Sequence, residues 1–312
     1  MPRALDRPVT RAQGKARGGP RRQSSSGADV ASPLSVPFKV AARPAHSLHD
    51  AALSLVDGAI DTLRRRHDDQ AIHAARKACK RIRAALRLLR GCLGPGVYRR
   101  ENRRVRDASK PLTAVRDAFI LRKTLGALPH RPVAFQRGLD SDYRAERQVL
   151  ERRGARRALN LLTETRARLL DLPSVGSEAA SAIAGARSVY KAGRKALRNA
   201  RHRDDEALHE WRKQTQYLVN QLELLKSVFN AKFGKLHQSA EKIADALGDD
   251  HDLGVLMSKL QAYEAPDESF MKVINKRRGK LQARAFRMGR KLYRHPEKHF
   301  EAIVAARLAR PK

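Results

Sequence analysis

A ten-residue segment occurs twice in this chain, and its two copies lie 136 positions apart. Residues 68–77 and 204–213 both start with paired aspartates and both contain the pattern His-x-x-Arg-Lys. Farther along, residues 112–117 match residues 247–252 at nearly the same spacing. Two signatures repeated in the same order predict a duplicated unit, and the fold must therefore accommodate two similar halves.

The periodicity around these segments is helical. From about residue 46, apolar residues recur at steps of three and four, and leucine, alanine and arginine dominate. Helix-breaking residues lie between the periodic runs, at 91–96, 129–132, 173–176 and Pro266. The pattern predicts an all-α protein of about eight helices, with a folded region over 45–312 that divides into halves at 45–173 and 174–312. Residues 1–44 are rich in Arg, Gly, Ser and Pro without a hydrophobic period, which predicts a disordered basic arm.

On a helical wheel, the first copy separates into two faces. At about 100° per residue, Ala75, Ile82 and Leu86 share one side of the helix. The opposite side is a basic stripe that starts with a histidine: His73, Arg76, Lys77, Lys80, Arg83 and Arg87. Asp68 or Asp69 is expected to cap the helix start, as is Asp204 or Asp205 in the second copy.

The second copy has the same two faces but carries less charge. His209, Arg212 and Lys213 lie on one side, and the apolar side contains Trp211, Leu218, Leu222 and Leu225. Gln216 stands where the first copy has Lys80, and Val219 stands where it has Arg83. We therefore expect the first half to supply more of the positive charge.

The composition indicates the class of ligand. Lys and Arg number 66 against 32 Asp and Glu, which gives a net charge of +34. So large an excess opposes a compact fold and is typical of proteins that bind polyanions. Only 5% of the residues are aromatic, so base stacking has few rings to use, and partners recognised through phosphate groups are favoured. Arginine matches phosphate oxygens with a planar fork of donors, and lysine adds a movable charge.

The two cysteines, Cys79 and Cys92, form no metal-binding pattern, and we expect no metal and no cofactor. There is no apolar run long enough to span a membrane and no secretory signal core. A cytoplasmic protein is expected.

The paired His-x-x-Arg-Lys helices, each followed by Leu-(x)3-Arg/His-Asp, resemble the CHAD domain, the conserved histidine α-helical domain, over about residues 46–312. The resemblance implies two four-helix bundles related by pseudo-twofold symmetry around a basic central groove. It implies binding of inorganic polyphosphate without catalysis. No signature of an accompanying CYTH domain is found in the sequence, so we expect the unit to stand alone.

The candidate binding residues combine the two basic faces with positions carried over from the family. Arg116 and His251 occupy one column of the repeat, which we interpret as cationic. Lys191 and Arg194 resemble the basic helix that opens the second half of the family's domain. The predicted polyphosphate-binding set is His73, Arg76, Lys77, Lys80, Arg83, Arg116, Lys191, Arg194, His209, Arg212, Lys213 and His251.

Two other functions stay open. His251-Asp252 is a dyad of the kind that helical metal-dependent HD phosphohydrolases use to hold metal ions, although the matching position in the first half is Arg116. We favour a structural role for Asp117 and Asp252, either pairing with a basic neighbour or holding a helix end. The charge would also bind nucleic acid non-specifically, above all through the basic arm. A location at polyphosphate granules and a polyphosphate-metabolising enzyme as partner are compatible with the main hypothesis.

Overall fold

A computed structural model describes residues 47–129, 132–172, 177–263 and 268–309. Within these ranges the chain forms ten α-helices and no β-strand. The helices are α1 (Leu48–Arg65), α2 (Asp69–Leu88), α3 (Arg90–Gly126), α4 (Val133–Val149), α5 (Ala155–Leu170), α6 (Glu178–Asn199), α7 (Asp205–Phe229), α8 (Gly234–Tyr263), α9 (Glu268–Leu292) and α10 (Glu297–Leu308). A π-helical turn, Leu150–Gly154, joins α4 to α5, and a 3-10 turn, Ala200–His202, follows α6.

The all-α prediction is confirmed, and the described ranges hold two more helices than the eight expected. The predicted arm, residues 1–44, lies outside the described residues. No helix in the described part of the chain is long and apolar enough to cross a membrane.

The predicted break at residues 91–96 is a kink inside α3. Gly94 has φ 71° and ψ 159°, a backbone conformation that residues other than glycine rarely adopt. Pro95 follows at once and has the fixed φ of a first helical residue, so the helix restarts there. The predicted interruption is therefore confirmed, because the non-helical backbone of Gly94 separates two helical segments within α3.

Both basic helices begin at the predicted aspartates. The Asp68 carboxylate accepts a hydrogen bond from the Ala71 backbone N–H at 2.8 Å, and Asp204 accepts one from Ala207 N–H at 2.9 Å. Each cap satisfies a backbone donor that a helix start leaves without a partner. The aspartates that follow the caps point elsewhere: the Tyr143 hydroxyl donates to Asp69 at 2.8 Å, and Arg278 forms an ion pair with Asp205.

The helices of the two halves have the same order of neighbours. In the first half α1 packs on α2, α2 on α3 and α3 on α4, while α5 lies against α1. In the second half α6 packs on α7, α7 on α8 and α8 on α9, while α10 lies against α6. The origin of the halves in a duplicated unit stays a prediction from the sequence.

The two basic helices, α2 and α7, pack directly on each other, and two of their contacts join matching positions of the repeat. Arg81 on α2 donates from Nε to Glu223 on α7 at 3.1 Å, and the guanidinium of Arg87 on α2 stacks 3.8 Å above the ring of Tyr217 on α7. Position 81 corresponds to 217, and 87 to 223, at the repeat's offset of 136. Residues that exchange partners in this way are typical of packing around a local twofold axis.

The apolar faces of both basic helices lie in the main core, as their sequence pattern predicted. Ile82 and Leu86 of α2 are completely buried, as are Trp211 and Leu218 of α7. Because those faces are fixed inside the protein, the basic stripes on the opposite sides must lie elsewhere, at the surface or at junctions between helices. A second core cluster joins the C-terminal part of α3 and α4 to α8 and α9.

Candidate functional site

Three helices bring four positive side chains into one region, which we call the cationic cluster. It consists of Arg76 and Lys80 from α2, Arg116 from α3 and Arg212 from α7. Arg212 lowers the pKa of each of the other three through repulsion between like charges. Such repulsion falls with distance and is screened by water, so these groups lie within electrostatic reach of one another across the two halves.

Arg76 is held in place by α3. Its Nε donates to the Thr113 hydroxyl at 3.0 Å, and its terminal nitrogen lies 3.4 Å from a carboxylate oxygen of Asp117. The Arg76 side chain is 18% exposed, whereas that of Asp117 is 61% exposed. Burial lowers the pKa of Arg76, the Asp117 carboxylate opposes that shift, and Arg212 adds to it. The guanidinium is thus oriented before any ligand arrives.

Lys80 is the most strongly perturbed cation of the cluster. Burial lowers the pKa of its ammonium group to about 7, and Arg76, Arg212 and Arg116 contribute by repulsion. A lysine in this setting is only partly charged at neutral pH, because its neighbours supply positive charge without enough carboxylate to balance it. A bound anion would restore its full charge.

Arg116 has a donor without a partner. Its pKa is lowered to about 10, first by burial and then by repulsion from Arg76. Its Nε is buried, and no hydrogen-bond acceptor for it is found among the described residues. An unpaired buried donor costs free energy that a phosphate oxygen could recover.

His73 lies beside the cluster on α2. The pKa of the imidazole is lowered to about 4, first by burial and then by repulsion from four cations, in the order Arg116, Lys77, Lys80 and Arg76. His73 is therefore neutral at pH 7 and can donate one hydrogen bond. A polyanion nearby would raise its pKa and favour the charged form.

The second half places two histidines in the corresponding positions. The rings of His209 and His251 are tilted against each other with centroids 4.8 Å apart. Burial lowers the pKa of His251 to about 4, with Arg212 and His209 adding to the effect, and burial together with Arg212 lowers that of His209. The column that holds Arg116 in the first half thus holds a neutral histidine in the second.

The last residues of the repeated segments, Asp117 and Asp252, contribute carboxylates near the cluster. Asp117 pairs with Arg76, as favoured from the sequence. Burial raises the pKa of Asp252, although Arg212 and Arg116 both oppose that shift. Asp250 is separate, because it accepts hydrogen bonds from Arg278 Nε and Gln282 Nε2, each at 3.0 Å. Across the described residues, no three or more His, Cys, Asp or Glu side chains are arranged to hold a metal ion.

The remaining predicted site residues have other neighbours. Arg83 donates from Nε to Asn102 Oδ1 at 3.0 Å, and Lys213 forms an ion pair with Glu210. Lys77 is half-buried on the same helix as His73 and perturbs its pKa.

Lys191 and Arg194 on α6 face the start of α10. Their side-chain nitrogens lie 3.7 and 3.9 Å from the carboxylate of Glu297, and Arg194 Nε also donates to the Tyr293 carbonyl at 3.3 Å. The structure therefore gives these two predicted residues a carboxylate partner of their own and does not group them with Arg76 and Arg212.

Sequence analysis overlooked Thr113, the hydroxyl that orients Arg76. It lies in the repeated segment 112–117, where glycine occupies the matching position of the second half, so the repeat drew attention to the charged positions only. The difference between the copies at this position was the available signal.

The fold and the site define an all-helical protein in which two His-x-x-Arg-Lys helices meet at a shared cluster of cations. A family model described as the CHAD domain matches residues 48–261, more than half of the chain, and the chain belongs to this family. It is similar in fold to a crystal structure of the CHAD domain from the plant Ricinus communis, with a TM-score of 0.52 and 19% sequence identity over 84% of this chain and 93% of that one. A comparison with curated proteins found no match.

Proposed function

We propose that this protein binds inorganic polyphosphate at the cationic cluster, and that the cluster lines the basic groove expected for the family. The observation that carries the proposal is that cations of both halves lie partly buried within reach of one another, where the buried Nε of Arg116 has no acceptor among the described residues. Burial first, and then mutual repulsion, lowers the pKa values of Arg76, Lys80 and Arg116. A linear chain of phosphates supplies the missing negative charge along its whole length. Binding would release counterions and weaken steeply with salt.

The residue types suit phosphate better than nucleic acid bases. Arg76 and Arg212 present guanidinium forks, and the orphan Nε of Arg116 is a further donor. The cluster contains no aromatic ring on which a base could stack. We propose non-specific nucleic acid binding only as a secondary property of the overall charge and of residues 1–44.

We also propose that the protein acts by binding and not by catalysis. In the HD hypothesis, His251 and Asp252 would hold a metal ion, but Arg212 and Arg116 lie within electrostatic reach of Asp252 and would repel one. Metal-dependent release of phosphate from polyphosphate or nucleotides that is lost in His251→Ala would establish the enzymatic alternative. A cytoplasmic location, at polyphosphate granules and near a polyphosphate-metabolising enzyme, belongs to the same proposal.

The test compares long-chain polyphosphate, tripolyphosphate, duplex DNA and ATP in a binding assay at physiological salt. The variant Arg76→Gln/Arg212→Gln removes one cation from each half, and Arg153→Gln/Arg157→Gln removes two exposed cations from the region joining α4 and α5 as a matched control. Since two phosphate contacts are lost, we expect the cluster variant to bind long polyphosphate at least about 30-fold more weakly, and the control to change by less than about threefold.

Two results would contradict the proposal. Equal losses in the cluster variant and the control would indicate diffuse attraction by net charge. Displacement of polyphosphate by duplex DNA at equal phosphate concentration would favour the nucleic acid function.

A further inference from the structure

Helix α9 carries a row of positive side chains on its outer face. At about 100° per residue, six exposed cations fall within an arc of about 100°. We call this row the α9 ridge, and it consists of Lys276, Arg277, Lys280, Arg284, Arg287 and Lys291. From Lys276 to Lys291 it extends for about 22 Å along the helix. It lies beyond residues 48–261, the part of the chain that the family model matches.

On the other side of α9, the charged side chain of Arg278 contacts neighbouring helices. Arg278 is bonded to Asp250 at 3.0 Å and forms an ion pair with Asp205, so it joins α9 to α8 and α7. Ile274 and Ala285 are completely buried on the same inner side. The inner arginine therefore has a structural role, which the ridge residues do not share.

The ridge has charge that the described part of the chain does not neutralise. None of its six members forms an ion pair within the ranges that the structure describes. The only acidic residue within α9 is Glu268, in the first turn, and it pairs with Lys272 at 3.0 Å. Like charges at helical neighbours destabilise a helix, so such a row has a cost in the absence of an anion.

Helix α9 packs against α8, and α8 packs against α7, the helix that carries Arg212 of the cationic cluster. Partial burial raises the pKa of Asp249 on α8, and Arg277, Arg284, Lys123 and Arg212 each oppose that rise. Asp249 is thus within electrostatic reach of two ridge residues and of Arg212 in the cluster. Arg277 and Arg284 are therefore the ridge residues that share a carboxylate neighbour with Arg212.

We propose that the α9 ridge is a second binding segment for polyphosphate, along which the part of a long chain that extends beyond the cationic cluster is held. This inference rests on the proposed function. Tripolyphosphate is too short to occupy both segments, whereas long-chain polyphosphate can contact them together. The ridge therefore makes affinity depend on chain length, because each phosphate neutralised along it releases a further counterion.

The test uses the full chain with Arg277→Gln/Arg284→Gln/Lys291→Gln, three ridge residues at seven-residue steps, two of which lie within electrostatic reach of Asp249. The matched control is Arg153→Gln/Arg156→Gln/Arg157→Gln, three exposed arginines that join α4 to α5 and begin α5. Binding of long-chain polyphosphate, tripolyphosphate and single-stranded DNA is measured over a range of salt concentrations. All the substituted residues are exposed, and thermal unfolding checks that both triple variants fold.

The ridge variant should bind long polyphosphate about tenfold more weakly than the control does, with the slope of log affinity against log salt smaller by about 2, at about 0.7 per lost contact. Its affinity for tripolyphosphate should equal that of the control. Equal affinity of both triple variants for long polyphosphate would overturn the inference, and an equal loss for single-stranded DNA would overturn the assignment to polyphosphate. If Arg76→Gln/Arg212→Gln retained full binding while the ridge variant lost it, the proposed function of the cluster would fail and the ridge would stand.

Discussion

The basic helices α2 and α7 have the same cap, buried face and sequence motif, but they differ in charge. Both begin at an aspartate cap, bury an apolar face and carry His-x-x-Arg-Lys, and they contact each other through exchanged pairs. The first half adds Lys80, Arg83 and Arg116, whereas the second has Gln216, Val219 and His251 at the matching positions. The first half thus provides charge that is mostly permanent, and the second provides histidines that gain charge only when an anion offsets the repulsion around them.

Burial is the largest difference between matching positions. Val219 is 6% exposed within the main core, whereas Arg83 is half-buried and bonded to Asn102. We expect Val219→Arg to destabilise the protein by about 3 kcal/mol or more, because it would bury an unpaired charge. Arg83→Val should cost less than about 1 kcal/mol. Chemical denaturation measures the free energy of unfolding of both variants. Similar small losses would show that the second half tolerates an arginine at position 219.

Exchange at the Lys80 and Gln216 positions is expected to change affinity. Lys80→Gln removes a cluster cation and should weaken polyphosphate binding about tenfold, or about 1.4 kcal/mol. Gln216→Lys should strengthen polyphosphate binding by a smaller factor. Position 216 is half-buried, and a new lysine there would itself be repelled by Arg212. Titration of the two single variants and the double exchange measures this. No gain from Gln216→Lys would indicate that position 216 does not contact the ligand.

The histidines predict a smaller, pH-dependent effect. In the free protein the pKa of His73 is about 4, below the ordinary value of 6.5, so between these values the unfolded chain binds more protons than the folded one. The free energy of unfolding should therefore fall as the pH drops from 6.5 to 4, by up to about 1.4 kcal/mol per pH unit for one histidine. His251, with a pKa of about 4, acts in the same direction.

Bound polyphosphate should reduce that loss, because it raises the pKa of both histidines, and affinity should therefore increase as the pH falls towards 5. Denaturation at pH 5 and 7, with and without polyphosphate, compares wild type with His73→Gln and His251→Gln. If the change in the free energy of unfolding between pH 5 and 7 is the same in both variants as in wild type, the pH dependence belongs to other groups. A larger change in His73→Gln than in His251→Gln would place the ligand nearer to the first half.

Much of the local structure was predictable. The spacing of Ile82 and Leu86 identified the buried side of α2, and the paired aspartates identified both caps. These features depend on neighbours within one or two turns, which sequence periodicity records directly. The Gly94 kink was also indicated by the glycine and proline residues of 91–96, because glycine adopts a positive φ readily.

Partners from distant parts of the chain were not predictable in the same way. Lys191 and Arg194 match the family's basic helix, yet their closest carboxylate is Glu297, more than a hundred residues away. Arg76 is oriented by Thr113 from another helix. The α9 ridge is visible in the sequence as a row of cations, but its connection to Arg212 through Asp249 is a property of the packed helices.

The sequence by itself determined that this protein is helical, that α2 and α7 each have one apolar and one basic side, and that positive charge far exceeds negative charge. Only the tertiary structure decided which of the many cations lie together. The packing of α2 against α3 and α7 brings Arg76, Lys80, Arg116 and Arg212 within reach of one another. Lys191 and Arg194 lie with Glu297 instead. The physical reason is that repulsion depends on distance through space and on burial, and neither is recorded by spacing along the chain.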